Sequence, residues 1–330
     1  MKILKNTFSF LLIAFISMNM NAQRELTKKE LRKANKAFRE KSREKRKNDV
    51  KEKNTLTSTT VNAQEVVKTY HENGKINTYA EVDKNGNNNG IYIWYDNKGQ
   101  KVWEGNTKNN KWIGIWNHYS NGVLEYRSEH NTGNVVANGK ATYYYKDGTI
   151  KSKGLLNTDA KTGVWEHYHR NGSIKSVGEY IKRFKNPIKT GLWKYYHKNG
   201  KLDMAGNYSN NQSIGEWLTY YKTGELDSKG SYNNEGSEIG KWIYYHKNGK
   251  IQGVENYKNG VLHGDMISYY DNGKLECSEN FYNGNNVGKM KCYNKDGTIS
   301  IDGQYNNNGD RTGKWVFYDE KGKIEKEKNY

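Results

Sequence analysis

Aromatic and aliphatic residues return along this chain at a fixed spacing, and a glycine marks the start of every unit. The glycines lie 24 or 25 residues apart, with one longer step before Gly191, at Gly90, Gly114, Gly139, Gly163, Gly191, Gly215, Gly240, Gly264, Gly288 and Gly313. A tyrosine stands five positions after each of them, from Tyr95 to Tyr318. So regular a period predicts a stack of similar supersecondary units, each of which buries its apolar side against its neighbours.

The unit from Gly240 to Gly264 shows the order of elements within one period. Residues 241–246 are aromatic and β-branched, which predicts a strand. Lys247-Asn248-Gly249 predicts a hairpin turn, because Asn and Gly tolerate positive φ. Residues 250–257 form the second strand. Residues 65–330 are therefore predicted to be an all-β repeat, an elongated twisted antiparallel meander of about eleven hairpins and about 22 strands, on the order of 100 Å long.

Two columns of residues are the most regular and are predicted to form the repeat core. One is the tyrosine column and the other stands two residues after the turn glycine. Their members include Tyr144, Tyr168, Tyr196, Tyr220, Tyr245 and Tyr269, with Ile150, Ile174, Leu202, Leu226, Ile251 and Leu275.

The turn decides which columns meet. A three-residue turn with a bulged glycine places Tyr245 opposite Ile251, whereas a two-residue Asn-Gly turn places His246 there. We favour the three-residue turn, because it pairs the tyrosine column with the Ile/Leu column, and these two columns are the most regular. Shorter or longer turns in the units at Gly90 and Gly114 leave their register open.

A tryptophan column then falls on the other face of the sheet, wholly or partly open to solvent, because residues two and five after the glycine point to opposite sides. Four consecutive members are candidates for ligand binding, since exposed aromatic rows favour sugar faces and protein contacts: Trp165, Trp193, Trp217 and Trp242. The alternative is that these rings pack on one another and on the facing glycines.

Two cysteines, Cys277 and Cys292, lie symmetrically about a turn centred on Gly284-Asn285. Antiparallel pairing about that centre brings them opposite each other, within the Cα range of a disulfide. The alternative is two free thiols, which a one-residue slip in register would separate.

Charge and hydropathy divide the chain into three segments. Residues 1–22 predict a signal peptide, since Lys2 and Lys5 precede an apolar run, Phe8–Met18, too short to span a bilayer. Residues 23–64 predict a basic, partly helical leader and linker, and residues 24–53 carry 14 basic against 6 acidic residues. The net charge of +18 favours anionic partners, and this leader is a candidate tether to an anionic surface. Export to the periplasm, cell surface or medium argues against nucleic acid.

The motif Gly-x-Trp-x-x-Tyr-x-x-Asn-Gly-Lys-Leu, followed by Gly-x-Tyr, runs through Gly191–Gly215. The unit Gly240–Gly264 repeats it with Ile in place of Leu and with Glu255 in place of the glycine of Gly-x-Tyr. It resembles the bacterial variant of the MORN repeat, as in proteins labelled YwqK-family antitoxins, over residues 65–330. The resemblance implies stacked β-hairpins that serve protein–protein contacts and, in some members, contact with membrane lipids. Ala141, Met266 and Met290 depart from it by replacing the tryptophan.

The residues offer no constellation for catalysis. Serines and aspartates are scattered among turns, and no glycine loop precedes a helix in the repeats. Histidines recur one position after the tyrosine, at His71, His169, His197 and His246. Adjacent hairpins lie about 10 Å apart, which is too far for these side chains to share a metal ion. The prediction is a protein without enzymatic activity, cofactor or metal.

Three hypotheses of function follow. The first is an exported repeat scaffold that contacts another protein or a cell-envelope component. The second is a binder of glycans or anionic lipid surfaces through the tryptophan row, and the third is an antitoxin or immunity protein. The sequence fixes neither the partner nor the oligomeric state.

Overall fold

The computed structural model describes residues 65–133, 135–183 and 186–330. The predicted signal peptide, residues 1–22, and the leader, residues 23–64, lie outside the described residues. Within the described ranges all regular structure is β, in a single open sheet. None of the described residues forms a helix with the length and apolar character needed to cross a bilayer.

The described residues form 24 strands: β1 Glu65–Tyr70, β2 Ile76–Val82, β3 Asn88–Tyr95, β4 Lys101–Lys108, β5 Lys111–Ser120, β6 Val123–Gly133, β7 Gly139–Tyr144, β8 Ile150–Asn157, β9 Ala160–Tyr168, β10 Ile174–Arg183, β11 Asn186–Tyr196, β12 Leu202–Ser209, β13 Gln212–Tyr220, β14 Leu226–Tyr232, β15 Glu238–Tyr245, β16 Ile251–Lys258, β17 Val261–Leu262, β18 Gly264–Tyr269, β19 Leu275–Tyr282, β20 Asn285–Asn286, β21 Gly288–Tyr293, β22 Ile299–Tyr305, β23 Arg311–Tyr318 and β24 Ile324–Asn329.

Apart from two interrupted strands, each strand pairs antiparallel with the next along the chain, so the sheet is a meander, as predicted. Strands β17 and β18 both pair with β16, and β20 and β21 both pair with β19. Each of these two pairs is one interrupted strand, broken at His263 and at Val287. The repeating unit is therefore the single hairpin that the sequence predicts.

The turns within the units end on a glycine with positive φ and have three residues, except in the unit at Gly114. In the unit at Gly240, the amide of Gly249 donates to the carbonyl of His246 at 2.8 Å, and Gly249 has a φ of 83°. Glycine adopts this conformation without steric cost. Several connections between units are two-residue turns with positive φ at both positions, such as Asn210-Asn211 at 50° and 69°. Asn tolerates this conformation better than most residues.

The predicted register is confirmed. Tyr245 lies opposite Ile251, with a bulge in the second strand just after the turn. The two units whose register was open pair the same two positions, Tyr95 with Lys101 and Tyr119 with Leu124. Only the second of them has a shorter turn, at Asn121-Gly122, with β5 and β6 paired as far as Ser120 and Val123.

The assignment of the core is wrong in one respect. The predicted core tyrosines, from Tyr144 to Tyr269, are only half-buried, and Ile150 and Ile251 are exposed at 38% and 40%. The fully buried large side chains instead belong to the tryptophan column, led by Trp116 and Trp165 at 0% exposure. Among the described residues, no second layer of structure covers the tyrosines and aliphatic residues. The indole rings are buried without one, because each is large enough to pack on the strand beside it within the single sheet.

Candidate functional site: the two faces of the sheet

The face of the sheet that carries Trp165, Trp193 and Trp217 is called the Trp face. Each indole of the repeating tryptophan column, two residues after a unit glycine, lies against a glycine of the preceding strand. A β-carbon built on Gly206 would fall well inside 3.0 Å of the ring of Trp217, and five other pairs share this arrangement. The pairs are Gly105 with Trp116, Gly154 with Trp165, Gly178 with Trp193, Gly206 with Trp217, Gly230 with Trp242 and Gly303 with Trp315.

The indole nitrogens in this column are also satisfied within the sheet. Trp165 Nε1 donates to the carbonyl of Leu155 at 3.0 Å, the residue after its glycine. Trp116, Trp193, Trp217 and Trp315 make the equivalent bond. Trp242 is the exception, because its buried Nε1 has no hydrogen-bond partner.

The predicted ligand-binding row is therefore corrected. Trp165, Trp193, Trp217 and Trp242 are exposed by 0%, 1%, 5% and 7%, so their ring faces are closed to a ligand. They do not stack on one another directly. A tyrosine stands between consecutive indoles, as where Tyr208 meets Trp217 edge-on at 5.0 Å. The structure realises the alternative reading, in which the row packs on its glycines and its neighbours.

The glycine and the tryptophan change together. Six units combine glycine with tryptophan, and the other four combine a larger residue with a non-tryptophan. These are Ala80 with Tyr92, Ser128 with Ala141, Glu255 with Met266 and Glu279 with Met290. This correlation has a steric cause: an indole can lie flat on the neighbouring strand only where the residue beneath it has no side chain.

A cation or a second indole covers several of these rings from the outside, at the position two residues before the unit glycine. Lys161 Nζ lies 4.3 Å from the ring centre of Trp165, and Lys189 Nζ lies 4.6 Å from that of Trp193. Arg311 occupies the same place over Trp315 at 4.4 Å. Such cation–π contacts favour burial of the aromatic surface while leaving the charge near water.

His167 lies between two of these cations on the Trp face. Its ring centre is 6.3 Å from those of both Trp165 and Trp193. Burial, followed by the positive charges of Lys161 and Lys189, lowers the pKa of His167 to about 4. The imidazole is consequently neutral at physiological pH.

The histidines one position after the tyrosine connect neighbouring units on the side of the sheet where the hairpin turns lie. Nε2 of His246 donates to the carbonyl of Tyr269, one unit further on, at 2.8 Å. His71, His169 and His197 make the same contact with the next unit. A tyrosine hydroxyl serves equally well at this position, as Tyr221 does toward the carbonyl of Tyr245 at 2.6 Å. These histidines are hydrogen-bond donors between units.

The two cysteines are placed as the sequence predicts. Cys277 lies opposite Cys292 in the pairing of β19 with β21, and their sulfur atoms are bonded. A carboxylate oxygen of Glu279 lies within 4.8 Å of both sulfurs. Bonded sulfurs are not thiolates and so are not available as metal ligands. Glu279 accepts a hydrogen bond from Asn286 at 2.6 Å.

The face opposite the Trp face carries a row of exposed aliphatic side chains. Val164, Leu192 and Ile115 each directly follow a unit glycine and precede a buried tryptophan, so strand alternation points them away from the Trp face. They are exposed by 60%, 52% and 61%. Ile91 and Leu155 join the same row at 42% and 46%. Sequence reasoning missed this row because it treated the position as variable.

Three further tryptophans stand outside the repeating column and meet in one pocket. Trp94, Trp103 and Trp112 line a cavity of about 320 Å³ on the Trp face of strands β2 to β5. Sequence reasoning missed this pocket too, although the signal was present: these are the tryptophans that break the period.

Seven segments of the chain match the family model of the MORN repeat variant. They are residues 137–157, 161–182, 189–210, 214–234, 238–259, 262–283 and 311–330. No curated protein matches this sequence.

Several solved structures show local likeness. A GtfA/B complex bound to UDP and GlcNAc is 20% identical over 35% of this chain and 22% of that chain, with a TM-score of 0.15. A TcdB2-TccC3-Cdc42 structure is 13% identical over 78% of this chain and 16% of that one, with a TM-score of 0.19. The Photorhabdus luminescens Tc holotoxin pore is 15% identical over 80% and 16%, with a TM-score of 0.17. This chain thus spans between 16% and 22% of those chains.

TM-scores this low establish no shared overall fold. The assignment depends on the repeats themselves, whose matched segments coincide with the hairpins of β7–β19 and β23–β24. These seven segments, between residue 137 and residue 330, are repeats of the MORN variant.

Proposed function

We propose that the repeat array is a non-enzymatic, exported scaffold that contacts another protein or a cell-envelope component through the face opposite the Trp face. The observation that carries this proposal is the exposed aliphatic row of Ile91, Ile115, Leu155, Val164 and Leu192. MORN repeats in general support a scaffold role, commonly in protein or membrane contact.

The row is confined to one part of the array. The position after the unit glycine is aliphatic at Ile91, Ile115, Val164 and Leu192, and it is interrupted once, by Lys140 in the unit between Ile115 and Val164. In later units the same position holds Glu216, Lys241, Asp265, Lys289 and Lys314. Since the backbone is the same in both parts, the repeat fold does not require an aliphatic residue there. Exposed aliphatic side chains that recur on one face of the array, and give way to charged residues further along it, are typical of an interaction surface.

Site-specific photocrosslinking tests this surface in the expressing cell. A photoreactive amino acid at Val164 or Leu192 is expected to give discrete crosslinked products, because these side chains would be covered by the partner. Lys241 and Lys289 provide matched controls, because they occupy the same position in later units, where the residue is charged. Equal crosslinking at all four positions, or none at any, would remove the support for this surface.

Export is the second element of the proposal, and it follows from the predicted signal peptide in residues 1–22. Cell fractionation and N-terminal sequencing test it, with a mature chain beginning at Gln23 as the expected result. A full-length chain retained in the cytoplasm would contradict export, but it would leave the proposal for the contact surface unchanged.

A further inference from the structure

The tryptophans of this chain fall into two groups. Six occupy the second position after a unit glycine and are buried against the preceding strand. The remaining three, Trp94, Trp103 and Trp112, occupy other positions, and all lie within the first units of the array. The repeat fold therefore explains the burial of six tryptophans. Of the other three, Trp112 covers Trp116 from the position that Lys161 and Lys189 hold over their own indoles.

These three rings line one concave site. The cavity of about 320 Å³ is also bordered by Tyr92 and by the polar side chains of Thr78 and Asn88. Its volume is at the lower end of the range for small-molecule sites, about 300–1,000 Å³. Room exists there because Tyr92, which is smaller than tryptophan, takes the column position in this unit.

The surroundings hold each ring in a fixed orientation. Trp94, which is 42% exposed, donates Nε1–H to the side-chain oxygen of Asn77 at 3.0 Å. Trp112 stacks on Trp116 with ring centres 3.4 Å apart and planes 4° from parallel, which covers one face of its ring, and the same residue lines the cavity. Trp103 meets Trp112 at 5.4 Å and His118 at 4.4 Å. A preformed site of this kind loses little conformational entropy on binding.

We propose that this pocket binds a neutral carbohydrate. A sugar ring presents C–H groups on its faces and hydroxyl groups at its rim. The faces match the open indole surfaces, and the rim matches the amide and hydroxyl groups of Asn88 and Thr78. The geometry places the sugar site at tryptophans that break the repeat.

Charge decides between a neutral sugar and a quaternary ammonium ion, the other ligand that aromatic cages recognise. Among the described residues, the phenol of Tyr92 is the only ionisable side chain that lines the cavity. Burial raises the pKa of that phenol, so it stays uncharged. The chain as a whole carries a net charge of +18, which disfavours a cation that has no local carboxylate to meet it. Hydroxyl-rich, uncharged ligands fit these walls.

Saturation-transfer NMR and calorimetry on the full-length chain test the site. The probes are cellohexaose, chitohexaose, mannohexaose and xylohexaose, with choline chloride as the cationic alternative. At least one oligosaccharide is expected to bind with a dissociation constant below about 1 mM. Trp94→Ala and Trp112→Ala are each expected to weaken it by about tenfold, since a well-placed aromatic contact contributes roughly that factor.

The matched control is Tyr282→Ala, which removes another exposed aromatic side chain far along the array, 57% exposed, and should leave binding unchanged. Thermal unfolding of each variant shows that the fold is retained, as expected for the exposed Trp94. Three results would overturn the proposal: no oligosaccharide binds, both tryptophan variants bind as well as the wild type, or choline binds while the sugars do not.

Discussion

The ring of Trp217 lies on the backbone of Gly206, so closely that a β-carbon on that glycine would fall inside the indole. The two residues are directly opposite each other in the pairing of β12 with β13. This contact joins one hairpin to the next, because Gly206 belongs to the second strand of one unit and Trp217 to the first strand of the following unit. The same contact in six units makes the Trp face the core of the array.

Adding one methyl group beneath an indole should destabilise the array. Gly206→Ala is expected to lower the free energy of unfolding by about 1–3 kcal/mol, because the new β-carbon overpacks the ring of Trp217. Gly253→Ala is the matched control: its added β-carbon would find its nearest neighbour, the carbonyl of Ile267, at an ordinary 3.5 Å. Urea unfolding followed by circular dichroism measures both, and equal losses would contradict the packing described.

Removing a buried indole should cost far more than removing an exposed one. Trp217→Ala is expected to lower the free energy of unfolding by about 3–5 kcal/mol, as for other large core truncations. Trp94→Ala, at a ring that is 42% exposed, should change it by less than about 1 kcal/mol. Thermal melts of the two variants give the comparison; a larger loss at Trp94 would show that the wrong tryptophans have been assigned to the core.

Stability should depend on pH through His167. Its folded-state pKa, lowered to about 4 by burial and by the neighbouring lysines, lies below the value of about 6.5 in an unfolded chain. Between these values the unfolded chain binds the extra proton, so stability falls as the pH is lowered. The contribution of neutral His167 to the free energy of unfolding is complete above pH 6.5 and is lost progressively toward pH 4. Denaturation midpoints measured across this window give the slope.

The control for this prediction is His167→Tyr. The equivalent position of the neighbouring units already holds Tyr143 and Tyr195, so the variant should fold. It should show a smaller loss of stability between neutral pH and about pH 4.5 than the wild type. Identical slopes for the two proteins would assign the pH dependence to other groups.

The cross-strand disulfide should stabilise the units that lack the glycine–tryptophan contact. Replacing both Cys277 and Cys292 by serine is expected to lower the free energy of unfolding by about 3 kcal/mol, the usual value for a loop of about 15 residues. Serine is suitable because Ser268 occupies the same column one unit earlier. A phosphine reductant should weaken the wild type and leave the double variant unchanged. An effect of the reductant on both proteins would contradict this attribution.

The period alone determined most of the fold. One unit glycine, one tyrosine and one turn ending on glycine per unit predicted the meander and the pairing of Tyr245 with Ile251. They also predicted about 22 strands, which is the number observed when each of the two interrupted strands, β17–β18 and β20–β21, is counted once. The bulged glycine also followed from the turn sequence, because a three-residue turn was needed to bring the two most regular columns together.

The choice of the buried face did not follow, because regularity was weighed above side-chain size. The tyrosine column is the more regular, yet the indole buries more surface and has a glycine to lie on. The correlated loss of glycine and tryptophan, as in Glu255 with Met266, was the overlooked signal. The exposed aliphatic row and the pocket at Trp94 could not be predicted from the repeat consensus. Both are formed by residues that differ from one unit to the next, and a consensus leaves such differences out.

A double-mutant cycle at Gly206 and Trp217 tests most directly whether glycine and tryptophan form one unit of packing. Gly206→Glu alone should strongly destabilise the array, since the new side chain occupies the space of the indole. Adding Trp217→Met recreates the pair that the chain itself uses at Glu255 with Met266 and should restore part of the stability, with a coupling energy of about 1–3 kcal/mol. Strictly additive losses in the two single variants and the double variant would contradict the account.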